Sequence, residues 1–315
     1  MYLKPVYSVV VPVYNEEEVI AESYKRLTTV MESMKEPYEL IFINDGSRDR
    51  TAQIIAEFVQ NDSSVRLLNF TRNFGHMPAI TAGMEYAKGD AVIIIDADLQ
   101  DPPEVLPNMA KLWKEGYDVV YGKRKERQGE SLFKEWSAKL FYRFINSMVP
   151  IDLPVDTGEF RLMDRKVCDA VNNLREKHRY IRGLVSWVGF KQVAYEYVRV
   201  ERFAGVTKYP LRKMMTFAMD AITAFSYKPL KLATTLGFII SLCSFIYMVV
   251  ILWQWIFTDT TIAGWASTVG LISFTQGIVL MILGLMGEYM GRIFEEVKNR
   301  PIYIVHEVLG YDETV

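Results

Sequence analysis

The chain has 315 residues, half of them hydrophobic, and its 36 basic and 38 acidic side chains leave a formal charge of −2. That length and apolarity allow one large α/β domain and something more, while the near-neutral charge excludes general nucleic-acid binding, which needs a basic surface. Cys168 and Cys243 lie far apart, the second inside an apolar segment, so no disulfide framework is expected and a reducing cytoplasmic face fits. Met1 to Ser8 shows no charged region followed by a long apolar core, so no cleaved signal peptide is expected.

Tyr7 to Pro12 reads as a first strand and Val13 to Glu16 as the loop after it. Glu17 to Met34 reads as a helix, with Val19, Ile20, Leu27, Val30 and Met31 near helical spacing. Glu39 to Asn44 is a second strand, and Asp49 to Thr51 supplies capping side chains for a helix through Phe58. Val65 to Phe70 is a third strand and Gly75 to Ala87 a helix. The next stretch organises the rest. Val92 to Ile95 are β-branched without alternation, as in a strand buried on both faces and paired in parallel. The run then ends abruptly in Asp96, Asp98, Gln100 and Asp101, followed by two prolines. Pro103 to Glu115 is helical again and Asp118 to Gly122 is a fifth strand. Five alternations predict a doubly wound, mostly parallel α/β sheet with right-handed crossovers.

No Gly-x-Gly-x-x-Gly follows the first strand and no Gly-Lys-Ser/Thr phosphate loop is present. Instead Glu16, Asp45, Asp96 and Asp98 fall at strand carboxyl ends, where open α/β sheets bind ligands. Carboxylates near the first and second strands suit a ribose or a base edge. Paired ones at the fourth suit a solvated turn or a hard divalent cation bridging to a diphosphate. A lone His76 at a helix start is expected to cap or pack.

Downstream, Ser131 to Val149 interleaves aromatics with Lys134, Lys139 and Arg143. It fits either a core-packing helix with a wet face or an amphipathic helix lying on an anionic membrane surface. Asp156 to Asp164 reads as a turn and a strand, with Asp164 and Arg165 ion-paired, and Lys191 to Glu201 as a half-exposed strand. In Arg202 to Tyr209, Gly205 permits a tight loop, and Arg202, Thr207 and Lys208 suit phosphate oxygens. Residues 210–228 read as a juxtamembrane amphipathic helix. Leu232 to Phe257 and Trp265 to Met286 are each long and apolar enough to span a bilayer. The loop between them has no Lys or Arg, whereas Lys228, Lys231, Arg292, Lys298 and Arg300 flank the pair, so both ends are expected to be cytoplasmic. Gly270, Gly277, Gly284 and Gly291 recur every seven residues, and Gly237, Ser241 and Ser244 mark the first segment. Small residues let membrane helices approach, so a seam is expected, either within the pair or between protomers of a homo-oligomer.

Pro12-Val-Tyr-Asn-Glu16, Asn44-Asp-Gly-Ser47, Arg72-Asn-Phe-Gly75, Asp96-Ala-Asp-Leu-Gln-Asp-Pro-Pro-Glu104, Arg202 to Tyr209 and the tail from Gly287 to Ile304 occur in this order. Together they resemble the polyprenyl-phosphate glycosyltransferases of glycosyltransferase family two, similar to bacterial undecaprenyl-phosphate glucosyltransferases and dolichol-phosphate mannose synthase. The resemblance covers nearly the whole chain. It implies a GT-A, Rossmann-like catalytic domain over residues 1–209, with the amphipathic segment at 131–149. Two transmembrane helices joined by a short external loop follow over 229–291, then a cytoplasmic tail over 292–315. The implied reaction is inverting transfer of a sugar from a nucleotide-sugar, UDP-glucose foremost, to a polyprenyl phosphate at the cytoplasmic membrane.

By the same resemblance, Pro12, Tyr14, Glu16, Asp45 and Asp96 hold the nucleotide, and Asp96, Asp98 and Gln100 bind Mg²⁺ or Mn²⁺. Asp156, Glu159, Arg202 and Lys208 serve catalysis, while Arg143, Arg161 and Thr207 meet the acceptor phosphate. Glu159 departs by one methylene from the Asp usual in similar bacterial enzymes, so Asp156 is the carboxylate expected to face the acceptor, as a base or only to orient it. Other UDP-sugars fit the same motifs. A processive polysaccharide synthase would carry more membrane spans and a Gln-x-x-Arg-Trp motif. A nucleotide-binding membrane sensor would need neither metal pair nor acceptor cations.

Overall fold

A computed structural model describes residues 4–125, 157–199, 228–257 and 264–311. The elements in chain order are β1 (Tyr7–Val13), α1 (Ile20–Ser33), β2 (Tyr38–Asn44), α2 (Thr51–Asn61), β3 (Val65–Phe70), α3 (His76–Tyr86) and β4 (Ala91–Ile94). A 3-10 turn at Pro103–Val105 leads into α4 (Leu106–Lys114) and β5 (Val119–Arg124). Then come β6 (Thr157–Asp164), α5 (Arg165–Asn172), α6 (Ile181–Trp187), β7 (Gln192–Tyr197), α7 (Lys228–Phe257), α8 (Trp265–Lys298) and β8 (Val305–Leu309).

The strands form one sheet in the order β7-β5-β6-β4-β1-β2-β3-β8. Its centre, β3-β2-β1-β4, is all parallel, and β5 pairs with β7 in parallel. The expected α/β sheet is therefore present, with β4 at an interior position. One detail differs: β4 has a parallel neighbour only in β1, because β6 inserts antiparallel between β4 and β5. Strand alternation feeds two cores. Val9 and Val11 of β1 and Ile93 of β4 pack with α1, α2 and α4 on one face, while Val10, Val92 and Ile94 pack with α3, α5 and α6 on the other. Covering on both faces is why these strands read as unbroken apolar runs. Truncating a fully buried residue such as Ile93 to Ala would cost about 2–5 kcal/mol.

α1 starts at Ile20, three residues later than Glu17. Asn15 takes a left-handed φ of 54°, and the next residues are tied sideways instead: Glu17 N–H donates to Asp49 Oδ2 (3.2 Å), and Glu17 Oε2 accepts Arg50 N–H (3.0 Å). Of the expected ion-paired ends, Arg165 pairs with Asp169 (3.5 Å) and not with Asp164. Asp164 caps α5 by accepting Lys166 N–H (3.0 Å) and receives Trp113 Nε1–H (2.8 Å), whereas Arg165 donates to Gly89 O.

α7 and α8 contain stretches long and apolar enough to cross a membrane, Lys228–Tyr247 and Phe274–Lys298, and neither stretch is buried in the chain. Large apolar side chains such as Phe238, Phe245, Phe274 and Met281 stand exposed, unlike those of a soluble core helix. α8 runs on past Met286 to Lys298, where Asn299 in the left-handed conformation (φ 46°) ends it, two residues before Pro301. A Cβ on Gly237, Gly277, Gly284 or Gly291 would meet nothing within 4 Å. Among the described residues these glycines therefore do not form the seam expected within the helix pair. Beyond α8, Val305–Leu309 returns to the domain as β8 and pairs antiparallel with β3. Edge pairing needs only backbone groups, so composition gave little sign of it.

Candidate active site

β1, β2 and β4 end side by side, and the loops after them enclose a cleft of about 330 Å³. Pro12, Tyr14 and Glu16 line it from the first loop, Asp45 from the second, and Asp96 and Asp98 from the fourth. The structure thus brings together the residues expected for nucleotide binding and both expected metal-binding carboxylates. Tyr14 is 42% exposed, an open aromatic face at the rim.

These loops interlock. Gly46 adopts φ +67°, and a Cβ there would stand 2.4 Å from the Arg72 carbonyl carbon, so glycine is required by conformation and by space. Beside it, the buried Asp45 accepts Phe74 N–H (2.6 Å) and Gly75 N–H (2.9 Å). Burial raises the Asp45 pKa, and these two N–H groups, His76 and Arg72 oppose the rise. The carboxylate is held in one orientation, and its remaining lone pairs can accept from a ligand. Asn44 Oδ1 accepts Ser47 N–H (3.1 Å), Ser47 Oγ accepts Asn15 N–H (3.0 Å), and Thr51 Oγ1 accepts Glu16 N–H (2.9 Å).

In the fourth loop Asp98 Oδ1 accepts Gln100 N–H (3.1 Å) across Leu99, whose φ is 59°. A left-handed leucine costs roughly 1–2 kcal/mol, and such strain collects where a loop must hold ligating groups. Gln100 is 8% exposed and does not line the cleft; its backbone, not its amide, supports Asp98. Asp96 keeps 35% of its side chain open, with His76 Nε2 3.5 Å away. Its pKa is pushed up to about 6, first by burial at the cleft floor and then by Asp98, Asp101 and Glu159, against the pull of His76. His76 therefore faces the cleft as well as opening α3, which its helix-start position alone did not reveal. Its signal was adjacency to the Arg72-to-Gly75 loop that folds over Asp45. Asp101 lies behind, buried, accepting the Tyr197 hydroxyl with Arg199 Nε at 3.6 Å.

Asp96 and Asp98 are hard oxygen donors open to one cleft and so fit a divalent cation. Among the described residues no three His, Cys, Asp or Glu side chains converge on one point. The pair would share such an ion with substrate oxygens and water, as Mg²⁺ sites commonly do.

Glu159 and Arg161 take a different place. Arg161 is 2% exposed and donates to Glu159 Oε2 (3.2 Å) and to the carbonyls of Gly158 and Glu159, while Glu159 Oε1 lies 3.5 Å from Arg182. Burial pulls the Arg161 pKa down, and the Glu159 carboxylate opposes it. The structure does not bring these two to the cleft surface. They form a buried ion cluster on β6 in which each charge has a partner, the condition under which buried charge is tolerated. Asp156, Arg143, Arg202, Thr207 and Lys208 lie outside the described residues.

Residues 8–171 match the family described as glycosyl transferase family 2. The chain belongs to glycosyl transferase family 2. It is a glycosyltransferase, and the cleft at the strand ends is its candidate active site. The enzyme is 56% identical to the glycosyltransferase YkcC of Bacillus subtilis over 97% of this chain and 95% of that one. It is 41% identical to the SfII prophage-derived bactoprenol glucosyl transferase of Shigella flexneri over 95% of this chain and 96% of that one. Among solved structures, a mycobacterial protein aligns at 20% identity over 70% of this chain and 73% of that chain, with a TM-score of 0.48.

Proposed function

We propose that this glycosyltransferase moves glucose from UDP-glucose, with inversion at the anomeric carbon, to the phosphate of undecaprenol or another polyprenol at the cytoplasmic membrane face. The lipid-linked sugar would then serve modification of a cell-envelope glycan. One observation carries the reading: a cleft with carboxylates at three strand ends belongs to a chain with two long, unburied apolar helices. A lipid acceptor gives those helices a purpose, and the bactoprenol glucosyl transferase of Shigella flexneri, alike over nearly its full length, supports that choice.

In this reading Asp45, Glu16, Pro12 and Tyr14 take the nucleoside. Asp96 and Asp98 hold Mg²⁺ or Mn²⁺, which would neutralise charge on the departing diphosphate. Gln100, Glu159 and Arg161 act from below by fixing the fourth loop and β6. The acceptor phosphate is already anionic, so Asp156 orients it instead of deprotonating it. Arg202, Thr207, Lys208 and Arg143 offset its charge. Both termini face the cytoplasm, and the glycine-bearing face of α8 joins protomers into a homo-oligomer.

The test is incubation of purified enzyme with undecaprenyl phosphate and a panel of UDP-sugars, with the lipid product read by mass. A hexose-phosphate lipid formed only from UDP-glucose is expected. Products from another UDP-sugar would redirect the donor assignment, and no lipid product would overturn the reading.

A further inference from the structure

The chain leaves α8 and returns as β8 along the edge of the catalytic sheet, and two lines of contact run from this return into the nucleotide side of the cleft. The first is aromatic. Tyr303 stacks on Phe70 (centroids 5.1 Å, planes 8° apart), Phe70 meets Phe74 edge-on (5.8 Å, 90°), and the Arg72 guanidinium covers Phe74 (4.0 Å). Phe74 and its neighbour Gly75 supply the N–H groups that hold Asp45. Ile304 O also accepts Thr71 N–H (3.1 Å) at the start of that loop. The second line is polar. Glu307 Oε2 accepts Asn69 Nδ2–H (2.9 Å), and Asn69 Oδ1 accepts Asn44 Nδ2–H (3.0 Å). Asn44 then reaches Asn15, between Tyr14 and Glu16, through Ser47.

We propose that Tyr303 and Glu307 are positioning residues for the nucleotide, acting through Phe74–Asp45 and through Asn69–Asn44, so that the strap following the second apolar helix sets the donor half of the active site. This rests on the reading that a nucleotide occupies the Asp45 side of the cleft. The origin of the strap is itself anchored. Lys177 donates to Glu296 Oε1 (2.7 Å), Asn299 Oδ1 (2.9 Å) and Arg300 O (2.8 Å), and His178 lies 2.5 Å from Glu295. The strap could instead merely seal the β3 edge. Sealing alone would make it matter for stability and leave nucleotide affinity untouched in whatever remains folded.

The experiment is calorimetric titration of the full-length enzyme in detergent with UDP and saturating Mg²⁺, beside steady-state kinetics with undecaprenyl phosphate. Tyr303→Ala should weaken UDP about tenfold, the scale of one aromatic contact, with the KM for lipid within about twofold of wild type. Tyr303→Phe keeps the stacked ring and loses only the hydroxyl bond to Glu85, so it should restore affinity. Hydrogen exchange at residues 71–75 should quicken in Tyr303→Ala. If Tyr303→Ala does not fold, Glu307→Leu provides the same comparison through the polar line, with a smaller loss of UDP affinity expected. Unchanged UDP affinity in a folded Tyr303→Ala or Glu307→Leu overturns the inference, as does equal loss in Tyr303→Phe and Tyr303→Ala. A wild-type enzyme that binds no UDP overturns the nucleotide reading first, and the inference with it.

Discussion

Lowering the pH should weaken cation binding at the proposed Asp96–Asp98 site in a range where ordinary carboxylates remain charged. Asp96 is held at about 6 by burial and by three neighbouring carboxylates, against 3.8 for an unperturbed aspartate. At about 6 the side chain is about nine-tenths ionised at pH 7 and about one-tenth at pH 5, so a cation that needs the carboxylate loses about tenfold in affinity across that interval. A carboxylate at its ordinary value would stay more than about nine-tenths ionised at pH 5 and lose almost nothing. The assay is titration of the enzyme with MnCl₂ alone, without nucleotide, so that no phosphate titrates in the same range. Stability follows the opposite course. The folded state holds the extra proton between about pH 4 and pH 6, so the contribution of this group is full below that window and is lost as the pH rises through about 6. Asp96→Asn should therefore stabilise the metal-free enzyme at pH 8 by on the order of 1 kcal/mol. That figure is discounted from the full shift because part of the side chain is open to solvent. The same variant should abolish both Mn²⁺ binding and its pH dependence. Flat Mn²⁺ affinity from pH 7 to pH 5 in the wild-type enzyme would refute the reasoning.

Changing Arg202 or Lys208 to Ala should cost transfer about a hundredfold or more while moving thermal stability little, because a cation reserved for substrate contributes little to folding; lost stability with retained turnover would assign them to structural ion pairs. Gly277→Leu and Gly284→Leu find open space within the chain, so they should fold, bind UDP normally and shift the oligomer distribution seen by native mass spectrometry. An unchanged distribution would remove the α8 face from the assembly.

Much of the sheet was legible because its central strands are buried on both faces, which writes them as β-branched runs such as Val92 to Ile95. The cleft was legible for a related reason: polar residues clustered at strand carboxyl ends, as at Glu16, Asp45 and Asp96, stand out against such runs. Other features depend on partners far away in the chain. β8 is an edge strand whose reason to exist is the unpaired side of β3, and nothing in Val305–Leu309 names that partner. Arg161 and Glu159 alone suggest exposed chemistry, yet Arg182 closes a buried charge cluster around Glu159 from helix α6. The left-handed Leu99 is likewise invisible to propensity, because a leucine there is tolerated only when the surrounding loop imposes it.

The most direct measurement is transfer of labelled glucose from UDP-glucose into the organic phase with undecaprenyl phosphate, comparing wild type, wild type in excess chelator, and Asp98→Asn. Asp98→Asn keeps the shape of the side chain and removes one anionic oxygen donor from the cleft. Wild type should transfer glucose, lose transfer on chelation and recover it when Mg²⁺ or Mn²⁺ is restored, and a folded Asp98→Asn should transfer none at any metal concentration. Transfer at the wild-type rate in chelator or by Asp98→Asn would contradict metal-dependent transfer.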